Sequence, residues 1–119
     1  MAVRQGTHVL GEDKRVIYSW SGLLQSSSDT GSIVATTGAF GYYTFQVTGT
    51  FGAGGSVALQ GSNDGVNFLA MEDEGGTTIA GTTTKIWRLS SVPKYVRPAV
   101  TAGDGTTNVA AVLSGSAVY

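Results

Sequence analysis

The chain has no cysteine and a single histidine, His8, among its 119 residues. A disulfide framework is therefore excluded, and a zinc site of thiolates and imidazoles lacks its donors. Charge is scarce as well: 13% of residues are charged, seven basic against eight acidic, for a formal net charge of −1. Such a surface has no basic footprint for nucleic acid. No apolar run approaches the ~20 residues needed to span a bilayer. The opening MAVRQGTHVLGEDKR lacks the apolar core of a secretory signal. A soluble protein is expected, leaving its cell, if at all, by a route such as lysis. No window sustains apolar residues at i, i+3, i+4 and i+7 over three turns, so long helices are not expected.

What is abundant points to β-structure. Eighteen glycines accompany many Thr, Ser, Val and Ala residues, a mixture that favours short strands joined by tight turns. The length suits one domain. In Tyr42 to Thr50 the large apolar side chains fall on Tyr43, Phe45 and Val47, continuing to Phe51, while Thr44, Gln46, Thr48 and Thr50 fall between them. That is the period of a half-buried strand. The Gly-rich break Gly52 to Gly55 leads to Val57 and Leu59, and Ser62-Asn63-Asp64-Gly65 then has the chemistry of a hairpin turn, with Gly65 free to take positive φ. Three consecutive antiparallel strands are expected over Tyr42 to Leu69.

Elsewhere, Val16, Tyr18 and Trp20 share one face of a strand. Val96, Pro98 and Val100 share one face of another. Pro98 has no amide donor and is expected at an edge or bulge. Thr77 to Ala80 reads as a short edge strand. Thr84 to Leu89 carries large residues on both faces, including Ile86 and Trp87, and Asn108 to Tyr119 is apolar on both faces of its first half. The latter belongs in the middle of a sheet or at a subunit interface, with the C-terminus docked. About eight strands with regular turn signals predict an all-β antiparallel β-sandwich or jelly roll over residues 15–119. Residues 1–14 lack a burial period and are expected to form an extended arm.

The run GSVALQGSNDGVNF, Gly55 to Phe68, resembles the strand, GSNDG, strand hairpin of small β-sandwich structural proteins of tailed phages, particularly capsid decoration (cement) proteins. It is also similar to a hairpin of discoidin-type carbohydrate- or lipid-binding jelly rolls. The first resemblance implies a virion protein on the capsid surface, made in the host cytoplasm, that binds the major capsid protein as a homo-oligomer, most simply a trimer. On that reading Val3, Val9 and Leu10 anchor the arm to the shell. Trp87, Val109, Val112, Leu113 and Tyr119 form the subunit interface, and Asn63, Asp64 and Gly65 make a structural turn. The second implies a carbohydrate module, with Tyr42, Trp87 or Tyr95 stacking on sugar. A tail or fibre component is a further alternative.

Chemistry for catalysis is not visible. No nucleophile and base, no phosphate loop and no dinucleotide fingerprint occurs. The acidic run Glu72-Asp73-Glu74 lacks the interleaved spacing of a calcium loop. No cofactor or metal is expected, and the chain is expected not to be an enzyme.

Overall fold

A computed structural model describes residues 3–4, 6–10, 15–23, 29–36, 40–89, 92–104 and 106–117. Two sheets face each other. The first contains β1 (Val3–Arg4), β4 (Thr30–Gly31), β5 (Val34–Ala35), β7 (Ser56–Ser62), β8 (Leu69–Ala70) and β10 (Tyr95–Ala102), in the order β1-β4-β10-β7-β8 with β5 also on β10. The second contains β2 (Gly6–Leu10), β3 (Arg15–Leu23), β6 (Phe40–Thr50), β9 (Lys85–Leu89) and β11 (Asn108–Ala117), in the order β2-β3-β11-β6-β9. Every pairing is antiparallel except β1 with β4. The all-β sandwich expected from the sequence is the observed architecture.

Alternation places the core. Val16, Tyr18 and Trp20 of β3, Tyr43, Phe45 and Val47 of β6, and Val109, Ala111 and Leu113 of β11 point inward from the second sheet. They meet Val57, Leu59, Val96 and Val100 of the first, with Ile79 between. Burial of this apolar surface, at ~25 cal/mol per Å², is the main stabilising term. The chain exposes 6241 Å², close to the ~6,100 Å² that surface scaling gives a folded monomer of this mass.

Several expectations are corrected. The expected three-strand meander is not one, because β6 lies in the second sheet and β7 in the first. Residues 51–55 cross between sheets, tied down by long-range bonds: the Thr107 hydroxyl donates to the Phe51 carbonyl at 2.8 Å, and the Ala53 amide to Asp104 Oδ2 at 2.8 Å. The β7–β8 hairpin does form, pairing Gly61 with Leu69 and Gln60 with Ala70. Thr77 to Ala80 makes only a single bridge, Thr78 with Glu72, and Ile79 is a core residue.

Pro98 lies inside β10, opposite Leu59, and the register shift falls later, between Val100 and Ala102. The Val100 amide donates to Asp29 on the β4 side, so the missing donor of Pro98 points the same way, into the gap between the β5 pairs and the β4 pair. A break on one side of an inner strand thus accommodates the proline without a bulge.

The expected free arm is overturned too. Val3 pairs with Thr30 in the first sheet, while Val9 and Leu10 pair with Ile17 and Val16 in the second. Backbone pairing holds this segment on its own domain. Residues 1, 2, 5 and 11–14 of the expected arm lie outside the described residues.

Candidate functional site

The hairpin after β7 is built by one side chain. Asp64 Oδ1 accepts the amides of Val66 and Asn67 at 2.8 and 2.9 Å and the Ser62 hydroxyl at 2.7 Å, while its Oδ2 accepts the Asn67 side-chain amide at 2.9 Å. The Ser62 hydroxyl oxygen accepts the amides of Asp64 and Gly65 in turn. These donors, led by the Asn67 amide, hold the Asp64 carboxyl well below the usual carboxylate range. Gly65 has φ +77° and lies against the Tyr95 ring. Asn63 Oδ1 accepts the Lys94 amide at 3.4 Å, joining the loop to the approach to β10. Asn63, Asp64 and Gly65 thus form the structural turn expected of them.

This rigid loop presents apolar side chains to solvent. Val66 is 79% exposed and Leu69 73%. On the face opposite to Leu69, the Arg97 guanidinium lies 4.3 Å from the Phe68 ring centroid and its Nε donates to Gln60 Oε1 at 2.9 Å. Phe68, Tyr95 and Arg97 are half-buried. Sequence reading recognised the turn but not this surface. The signal was the spacing of Val66, Phe68 and Leu69 just after a turn that could not bury them all.

The residues expected at a subunit interface are mostly elsewhere. Trp87 is 5% exposed, Val109 1% and Leu113 fully buried, all within this chain's own core. Trp87 stacks on Phe45 with ring centroids 5.8 Å apart. Val112 points to the opposite side of β11 and is half-buried, and Tyr119 lies outside the described residues. The sugar-stacking aromatics do not converge either: Trp87 is internal, Tyr95 packs under Gly65, and Tyr42 stands on the outer face of the other sheet.

The acidic run borders an open groove of about 320 Å³ between residues 73–77 and β9. Asp73 Oδ1 accepts the amides of Gly75 and Thr77 at 2.9 and 3.0 Å, closing its own turn. Glu74 pairs with Arg88 at 3.4 Å, an exposed contact of small energetic weight. Among the described residues no group of three or more His, Cys, Asp or Glu side chains is placed to hold a metal ion. Within the core, burial pushes the Tyr18 phenol up, and burial with the neighbouring Tyr18 pushes Tyr43 up to about 12.

The opposite end of the sandwich is fastened by Asp104. Its Oδ1 accepts the amide and hydroxyl of Thr106, at 2.8 and 2.6 Å, in addition to the Ala53 bond to Oδ2. These bonds, led by the Thr106 hydroxyl, lower its pKa to about 2. The molecule therefore has one clamped end and one end that presents apolar surface.

No protein-family model matches the chain, and no curated protein sequence matches it. Among solved structures, the SPBc2 prophage-derived protein YomS has a similar fold, with a TM-score of 0.58 over 85% of this chain and 93% of that one, at 14% sequence identity.

Proposed function

We propose that this chain is a virion structural protein of a tailed phage: a non-catalytic capsid decoration protein that binds the outer shell as an oligomer and stabilises it. The observation that carries the reading is the exposure of Val66 and Leu69 on the hairpin that the GSNDG turn holds rigid. This hairpin is the element that resembles the decoration proteins. The nearly end-to-end likeness in fold to a prophage-derived protein supports the same class. With Val9 and Leu10 paired to β3 at the edge of the second sheet, the hairpin end replaces the N-terminal segment as the shell-facing surface. Docking there rests on apolar contact and shape, and so persists in raised salt.

The test is the composition of particles produced by the genome that encodes the chain. Quantitative mass spectrometry of separated heads and tails should find the protein in heads, in a fixed ratio to the major capsid protein. Absence from particles would overturn the reading, and confinement to tails would make it a tail component instead.

A further inference from the structure

We propose that the outer face of the β2-β3-β11-β6-β9 sheet is a self-association surface, covered by the same face of a second copy of the chain. The inference deepens the oligomeric part of the proposed function and rests on that reading only for its biological setting.

The alternation that sends Phe45 and Leu113 inward sends Thr44, Gln46, Val112 and Ser114 outward. Register aligns Ser19, Val112, Gln46 and Ile86 in one row across the face, and Ile17, Ser114, Thr44 and Arg88 in the next. Tyr42 is 66% exposed and Ile86 59%. Arg88 is the one charged side chain described on this face; it stands on the edge strand and is paired with Glu74. Register also puts Arg15 at the end of β3, opposite Ser116. The centre is thus Val, Ile, Ala, Ser, Thr and Gln, without charge.

That composition fits a copy of itself better than another partner. Interface centres are depleted of charge. In a twofold pair any charge near the axis meets its own image, so a surface that self-associates must be neutral there. The hairpin end, with Asp64, Lys94 and Arg97, is instead asymmetric and suits a different protein. Area agrees. The five strands are 5, 9, 10, 11 and 5 residues long. At ~3.4 Å per residue and ~4.8 Å between strands they span roughly 650 Å² of sheet. Two such faces remove about 1,300 Å², within the range of specific interfaces. Twisted sheets pack face to face in this way at roughly 30°. The geometry predicts an even number of copies and not the trimer that the family resemblance implies.

Light scattering on the full chain at micromolar concentration tests it. The wild type should run at twice the 12.2 kDa chain mass, or an even multiple. Gln46→Lys, at an exposed position, and Val112→Lys should both shift it to the single-chain mass, and Gln46→Lys should do so while still unfolding in one cooperative transition, at a Tm lowered only by loss of the partner copy. Val66→Glu at the hairpin should leave the assembly intact. A wild-type monomer or trimer, a Gln46→Lys variant that stays assembled, or dissociation by Val66→Glu would each overturn the proposal. Particle composition is read independently, so failure of the phage assignment is distinguishable from failure of this one.

Discussion

Replacing Gly65 with valine tests the hairpin geometry quantitatively. Gly65 has φ +77°, and a Cβ built there would lie 3.3 Å from Tyr95 Cε2 and 3.5 Å from Cδ2. An L-residue in this left-handed region costs about 1–2 kcal/mol. Valine's two γ-methyl groups restrict χ1 and press on the tyrosine ring, bringing the loss to roughly 2–3 kcal/mol. Unfolding entropy for a chain of this length converts each kcal/mol to about 4 °C, so Tm should fall by roughly 8–12 °C. Gly54→Val is the control: φ there is +70° but no atom lies within 4 Å of the built Cβ. It should show the backbone strain alone, and the difference between the two melts isolates the Tyr95 contact. Gly65→Asn should lose least, since asparagine tolerates this conformation. Circular dichroism melts and urea titrations read all three. An unchanged Tm for Gly65→Val would mean that residues 62–67 do not adopt this turn.

Trp87→Ala should cost about 3–5 kcal/mol, as a large aromatic removed from a packed core; a urea titration showing little loss, together with dissociation of the oligomer, would return Trp87 to an interface. Deleting residues 2–10 removes β1 and β2 and should lower the urea midpoint, whereas an unchanged midpoint would show that these strands contribute nothing to the fold. Asp104 has its pKa lowered from the ordinary 3.8 to about 2, so its contribution is complete above pH ~4 and disappears as pH falls toward 2. Asp104→Asn should therefore melt lower than wild type at neutral pH and show a shallower acid loss, and parallel pH profiles for the two proteins would contradict the clamp.

The strands with one clean apolar face were legible because alternation reports burial directly. Val16, Tyr18 and Trp20, and likewise Tyr43, Phe45 and Val47, went where their period put them. Period does not report which sheet a strand joins. Gly52 to Gly55 has the composition of a hairpin, and only the bonds from Thr107 and Asp104, more than fifty residues away, make it a crossover. Nor does period detect a strand without an apolar alternation, which is why Gly6–Leu10, paired with β3, read as an arm. For β9, with Ile86 and Trp87 on opposite faces, the sequence showed that both sides carry something large without saying which was core. The decisive feature is Trp87 stacking on Phe45 from a neighbouring strand. The hairpin turn was readable because Asp64 and Gly65 act locally; the packing of Tyr95 against Gly65 and of Arg97 on Phe68 comes from about thirty residues on and was not.

Decoration of shells lacking this protein tests the capsid assignment and the hairpin docking surface together. Full-length wild type and a Val66→Glu, Leu69→Glu double variant are titrated onto such shells and the bound copies counted after sedimentation, at low and at raised salt. The wild type should saturate the shell at a fixed copy number under both conditions, and the folded double variant should fail to bind. Equal decoration by the two proteins would move the docking surface away from the hairpin, and no decoration by wild type would contradict the assignment to the capsid.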